Sequence, residues 1–208
     1  MTPELLQLYQ TWGEGGIGII VTGNIMIDQE HIEHPGNIIL EDESGGRLQK
    51  LAEMAAISQQ HGSVVGVPCS EQESKSGHTM LTIIEAIAQI SHPGRQANKL
   101  LQQHPVSVSD VQLEGVRLGM QFGKPRPLSL EDIAVTTAKF AQTAYLCWKA
   151  GFAGVQLHAA HGYLLSSFLS RRVNTRVRAV FVKLTVSRSH IQQTRLTGTA
   201  APSRIARG

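Results

Sequence analysis

Apolar residues first recur at helical spacing near the amino end, where Leu5, Leu8, Tyr9 and Trp12 share one face. Thr2 stands where an N-cap is expected, with Pro3 at the first helical position. Glycines within residues 13–16 stop this helix, and residues 17–21 form an apolar run read as a strand, followed by Thr22, Gly23 and Asn24. A second helix is predicted over 46–61, with Leu48, Leu51, Ala52, Ala55 and Gln59 on one face; Gly62 caps it and residues 63–67 begin another strand. Ser129 and Asp132 form a capping box for a third helix. Its face of Ile133, Thr137, Phe140, Ala141, Ala144, Cys147 and Trp148 is read as core, which makes Cys147 a packing residue and not a nucleophile. Gly151 ends that helix. Val155 and Leu157 then alternate with polar neighbours as in a short strand, and residues 163–169 restart an apolar helical run. Helices alternating with strands imply parallel βαβ units, an α/β fold.

The last strand ends in His158 and His161, and Gly162 lets the chain turn after them. Ligands of α/β proteins gather at the carboxyl ends of strands. The two histidines are not neighbours on one strand face, so they converge only if the chain leaves the strand between them. On spacing alone a structural histidine pair is the simpler reading.

Composition narrows the class. The chain has 208 residues, 41% hydrophobic, with 20 glycines. That suffices for one domain with a sizeable core. No apolar run approaches a bilayer span, the start lacks a signal-peptide pattern, and two cysteines are too few for a disulfide framework. A reducing, cytoplasmic setting without membrane partners is the expectation. The net charge of +3 conceals an asymmetry: residues 1–170 carry 10 basic and 16 acidic side chains, residues 171–208 carry 9 basic and none acidic. Such a basic end can signal nucleic-acid binding.

Two strings resolve more. "AGFAGVQLHAAHGYLLSSFLS", beginning at Ala150, closely resembles the signature of the old yellow enzyme family, FMN-dependent NADH:flavin oxidoreductases. Upstream, the run from Gln89 through His92, Gly94 and Arg95 resembles that family's Gln-Leu-x-His-x-Gly-Arg; taken alone it is a plain Pro-Gly turn. "LYQTWGEGGIGIIVTGNIMID" looks like the first helix and second strand of the family's barrel.

The resemblance implies an N-terminal half of a (β/α)8 TIM barrel over residues 1–176, lacking the first strand and the late βα units. It implies FMN as cofactor and NAD(P)H as co-substrate. Gly23, Gln89 and His158 would touch the flavin, and a side-chain amide such as Gln89 suits its pyrimidine edge. His158 and His161 would bind the carbonyl of a small enone-type substrate, and Tyr163 would protonate its α-carbon. The 30-residue connection over 97–129 matches an excursion over the barrel mouth. No metal and no nucleic acid are implied, and the oligomeric state is left open.

The resemblance breaks twice. Residues 67–88 read as an insertion splitting the third strand, and residues 177–208 as a non-homologous basic tail. For one codon choice, a two-nucleotide shift turns residues 197–208 into Gly-Tyr-Gly-Gly-Thr-Val-Glu-Asn-Arg-Ser-Arg, close to a family motif missing from the chain. Two retained introns account for both breaks, and the basic tail is then a translation artefact and not a nucleic-acid arm. Two other readings stand beside the oxidoreductase: a non-catalytic fragment or interaction module, and a metal-dependent hydrolase using His158 and His161.

Overall fold

Five strands form one parallel sheet. Strands β1 (Ile19–Val21) and β2 (Ile25–Met26) follow one another along one edge of β4 (Glu85–Ser91), and β7 (Gly154–Leu157) runs along the other. Strand β3 (Ile38–Ile39) extends the sheet beyond β2. The structure, a computed structural model, describes residues 1–60, 85–116 and 119–176, all within one unit, Met1–Arg176. The strand expected over 63–67 and the tail from residue 177 lie outside the described residues, as does the expected insertion up to residue 84. Its remaining residues, Glu85 to Ala88, are the first half of β4 and pair with both β1 and β7.

The break between β1 and β2 is built by one side chain. Thr22 donates its N–H to Ile87 O at 2.9 Å, and its Oγ1 accepts the Gln89 N–H at 3.0 Å. The hydroxyl thus stands in for a backbone carbonyl while the chain bulges through Gly23 and Asn24. Short strands β2 and β3 carry too few residues to show a period, so the sequence pattern gives no sign of them.

Three helices cover one face of the sheet. Helix α1 (Pro3–Glu14) begins as predicted, with Thr2 Oγ1 accepting the Leu5 N–H at 3.3 Å. Helix α2 (Arg47–Gln59) buries Leu51, Met54, Ala55 and Ser58. Helix α3 (Leu130–Lys149) opens on the predicted capping box, with both Ser129–Asp132 bonds formed. Its buried stripe is Phe140, Thr143, Leu146 and Cys147, whereas Thr137 and Ala141 are exposed and Trp148 is 60% exposed. The predicted face is therefore rotated: the Thr143 hydroxyl reaches the buried Leu40 O at 2.7 Å and turns that side of the helix inward. Trp148 instead pairs with Tyr145 on the outer surface, ring centroids 5.7 Å apart.

Alternation in β4 divides the two faces. Ala86, Ala88 and Ile90 point into the helix-covered core with Ile20, Leu51, Met54, Leu146 and Phe152. Ile87 and Gln89 point the other way, beside exposed Ile19 and Val21 of β1. The Gln59 amide links the layers, donating to Gly151 O at 3.1 Å and accepting from Ala86 N–H at 3.3 Å. A second, two-stranded parallel sheet, β5 (Val106–Ser107) with β6 (Arg126–Pro127), rests with Leu128 on Leu164 at the start of α4 (Leu164–Leu169). No helix among the described residues is long and apolar enough to cross a membrane.

Candidate active site

The carboxyl ends of β4 and β7 bring the predicted residues together. Gln89 and Gln156 are register partners on neighbouring strands, and the Gln89 amide donates to Gln156 Oε1 at 2.5 Å. One residue past β7, His158 donates its N–H to Ile90 O at 3.0 Å, which extends the ladder, and the residue is only 6% exposed. The chain then turns sharply. His161 has φ +56°, the one positive φ of a non-glycine among the described residues, and Gly162 follows at +78°. A left-handed histidine is strained and is held by its surroundings: the Gln96 amide donates to its carbonyl at 2.6 Å.

That turn folds His161 back on His158. Their Nδ1 and Nε2 atoms lie 3.2 Å apart, with rings nearly perpendicular at 81°. The Tyr163 ring packs edgewise on His158, centroids 4.7 Å apart. Burial, then the neighbouring His161, lowers the His158 pKa, while Glu33 acts in the opposite sense. His158 therefore serves as a neutral hydrogen-bonding group near neutral pH.

Gly23 sits at the same end of the sheet, on β1's side. Its N–H donates to the Tyr9 hydroxyl at 2.9 Å and its carbonyl accepts the Thr22 hydroxyl at 2.8 Å. Its exposed Cα faces open space, since an added Cβ would meet nothing within 4 Å. Gln89 stands close by, its N–H bonded to the Thr22 hydroxyl, so a flat group at this end of the sheet could meet both Gly23 and the glutamine pair. With Gln89 Nε2 bonded to Gln156, Gln89 Oε1 is left as an acceptor beside the donor Nε2 of Gln156, a pattern complementary to an imide edge. These residues fit the isoalloxazine of FMN.

Two groups escaped the sequence reading. Glu33, in the loop after β2, accepts a hydrogen bond from the Tyr163 hydroxyl through Oε2. Behind the site lies a buried cluster: Asp28 Oδ2 is 3.2 Å from His31 Nδ1, 3.1 Å from Lys139 Nζ and 3.9 Å from His92 Nε2. Asp28, His31 and His92 have ligand types suited to a metal. Their hydrogen bonds argue otherwise. His31 Nε2 accepts the Val106 N–H at 3.3 Å and His92 Nδ1 accepts the Gly94 N–H at 2.9 Å, so the nitrogens facing Asp28 carry the protons. A metal there would require two imidazolates, and Lys139 already neutralises the carboxylate. His158 and His161 belong to no such group among the described residues, so the hydrolase reading has no third ligand there.

Residues 84–179 match the NADH:flavin oxidoreductase / NADH oxidase family. The match covers 96 of the 208 residues, and over them the chain resembles that family. It is 42% identical over 176 residues to NADH-dependent flavin oxidoreductase nadA of Aspergillus parasiticus, covering 83% of this chain and 35% of that protein. It is 28% identical over 187 residues to NADH-dependent flavin oxidoreductase iliE of Hypocrea jecorina, covering 83% and 41%. It is 38% identical over 91 residues to 12-oxophytodienoate reductase 1 of Oryza sativa subsp. japonica, covering 42% and 24%. The chain thus spans less than half the length of these curated relatives. Family members are flavin oxidoreductases by name, and this parallel α/β sheet is consistent with a barrel of that class.

Proposed function

We propose that this chain carries the substrate-binding end of an FMN-dependent NAD(P)H oxidoreductase of the old yellow enzyme type, which reduces a small α,β-unsaturated carbonyl compound. The observation that carries the proposal is the convergence of His158, His161 and Tyr163 beside Gln89, within the segment matched to the family. Because the chain covers 35% of its Aspergillus relative, the activity is proposed for the whole protein, with this chain as part of its (β/α)8 barrel. Outside that assembly, the chain alone holds FMN weakly.

When bound, FMN would supply hydride chemistry, with NAD(P)H as the source of the hydride. The protein's own residues do the rest. Gln89 and Gln156 orient the flat ring by its imide edge. His161 donates a hydrogen bond to the carbonyl oxygen, where negative charge grows as the β-carbon is reduced, and His158 behind it donates to His161. Such donors matter more in the transition state than in the ground state. Tyr163 delivers the proton to the α-carbon as general acid. His158, kept neutral by burial, donates without titrating.

The test uses the two half-reactions, followed by anaerobic stopped-flow absorbance of the flavin. NAD(P)H should bleach the flavin and an activated enone should restore its colour, with Tyr163→Phe slowing only the second step. A flavin that NAD(P)H bleaches but no enone reoxidises would refute the substrate class. A whole protein that takes up no FMN would refute the cofactor.

A further inference from the structure

Among the described residues, Glu33 is the carboxylate hydrogen-bonded to Tyr163, and the reaction as proposed gives it no part. It lies 130 positions before Tyr163 and reaches it from the loop that follows β2. Its carboxylate is fixed by three donors. Oε2 accepts the Tyr163 hydroxyl, and Oε1 accepts Asn24 Nδ2 at 2.8 Å and Asn37 Nδ2 at 3.2 Å. The backbone beneath is fixed as well, since Asn37 Oδ1 accepts the Glu33 N–H at 3.1 Å and the His34 N–H at 2.8 Å. The adjacent His34 ring is turned away, its Nδ1 accepting the Gly36 N–H at 3.0 Å. Glu33 is partly buried, and its charge is felt at His158.

An exposed glutamate with one partner would be an ordinary surface contact. Here two asparagines spend their amides on holding a carboxylate against a phenol that sits beside a histidine pair. A charge-assisted hydrogen bond of this kind is stronger and more directional than a neutral one. It restricts the phenol oxygen to one place and parks the hydroxyl proton on the carboxylate until rotation about the C–O bond turns it to a bound substrate. A proton donor needs its oxygen held at a fixed distance from the atom it protonates.

We propose that Glu33 is the positioning residue for the Tyr163 acid, holding the phenol oxygen at the site's mouth so that its proton reaches the substrate's α-carbon. This rests on the acid role assigned to Tyr163 above. Asn24 and Asn37 act one step further back by aiming the carboxylate. The proton donor is thereby built from two remote segments, the loop after β2 and the turn after β7.

The contact is read first without flavin, on the 208-residue chain carrying 13Cζ-labelled tyrosine. It has three tyrosines, and Tyr163→Phe assigns the resonance. Glu33→Ala should move the Tyr163 resonance, whereas Glu33→Gln, which still offers an acceptor oxygen, should move it less. An unmoved resonance in Glu33→Ala overturns the proposal. In the flavin-loaded whole protein, Glu33→Ala should slow reoxidation by enone by about 10²-fold, the scale expected when a catalytic group is misplaced. Glu33→Gln should recover most of that loss, and flavin reduction by NAD(P)H should be unaffected. Added to Tyr163→Phe, Glu33→Ala should cost nothing more. Additive losses, or equal slowing of both half-reactions, overturn the positioning role. If Tyr163→Phe slows reoxidation and Glu33→Ala does not, only Glu33 is refuted. If Tyr163→Phe itself has no effect, the acid role falls and this proposal with it.

Discussion

The His158 Nε2 and His161 Nδ1 atoms, 3.2 Å apart, share one proton. His158 Nδ1 accepts the Ala160 N–H at 3.3 Å, so neutral His158 carries its hydrogen on Nε2 and donates it to His161. His161 Nδ1 is then the acceptor, and its own hydrogen lies on Nε2. The pair presents one outward donor, His161 Nε2–H, polarised by the ring behind it.

The two histidines should therefore differ under mutation. His161→Ala removes the outward donor, and enone reoxidation of the flavin should slow by about 10²-fold, the cost of one lost donor to a developing oxyanion. His158→Gln should cost less in rate, because a glutamine amide still donates to His161, and should lower stability by about 1 kcal/mol through the buried site it fills imperfectly. Stopped-flow reoxidation of the two variants measures the order of effects. A larger loss in His158→Gln would place the carbonyl on His158 instead.

Gln89 makes a prediction about the cofactor and not the substrate. Gln89→Leu removes the acceptor beside Gln156 Nε2 and leaves the Gln156 Oε1 without its present donor. FMN affinity of the whole protein, followed by quenching of flavin fluorescence, should fall by about 10-fold, the equivalent of 1.4 kcal/mol for a hydrogen-bonded pair lost in a partly buried site. Riboflavin and FMN should lose affinity by the same factor, since the contact is to the ring. A loss confined to FMN would place Gln89 at the phosphate.

Much of this was legible from local rules. Thr2 and the Ser129–Asp132 box cap their helices as predicted, because caps act within three residues. Val155 and Leu157 signalled β7 by alternation, and the motif around His158 pointed to the site. What escaped was nonlocal. Glu33 carries no motif, and its meaning comes from Tyr163, 130 positions later. Asp28 and His31 are three apart in a loop, and only β4 brings His92 to them. The stripe of α3 was misplaced because Trp148 continues the apolar face by spacing, while the helix docks through Thr143, whose hydroxyl finds a buried carbonyl.

Gly94 ties the two family motifs together mechanically. Its φ is +59°, and an added Cβ would lie 3.1 Å from the Leu164 Cα, next to Tyr163. Leu164 N–H also donates to His92 O at 3.0 Å, so the two chains cannot separate cheaply. Gly94→Ala should cost about 2 kcal/mol or more, combining roughly 1 kcal/mol of left-handed strain with the steric contact. Gly16→Ala is the control: φ is +71° but nothing lies within 4 Å, so only the conformational cost applies. Urea titration of the two variants isolates the contact. Equal losses would show that β4 and α4 separate freely at this point.

The buried cluster behind the site sets the acid limit of stability. Burial alone would raise the Asp28 carboxyl, but hydrogen bonds from His31 and the Glu30 N–H, with the charge of Lys139, hold it well below the usual carboxylate range. Burial first, then His31 and Lys139, push His92 down to about 3, against the pull of Asp28. Both folded-state values are depressed, so both groups contribute stability that is present at neutral pH and lost on acidification. The windows differ. An unfolded histidine takes up a proton near pH 6.5, whereas His92 in the fold stays neutral to about 3, so its contribution drains away between those values. The Asp28 contribution starts to fall only below about pH 5, near the unfolded carboxylate's value of roughly 3.9. Between pH 6 and 5 the unfolding free energy should therefore decline, with His92 supplying up to about 1.4 kcal/mol per pH unit as its full one-proton difference develops. Urea midpoints across that range measure the slope, and His92→Gln should flatten it even if it lowers stability at neutral pH. Side-chain 15N shifts give the direct check, since neutral His92 with its hydrogen on Nε2 should persist at pH 5. A protonated His92 at that pH would mean that Asp28 stabilises the imidazolium more than burial opposes it, and the acid limit would then belong to Asp28 alone.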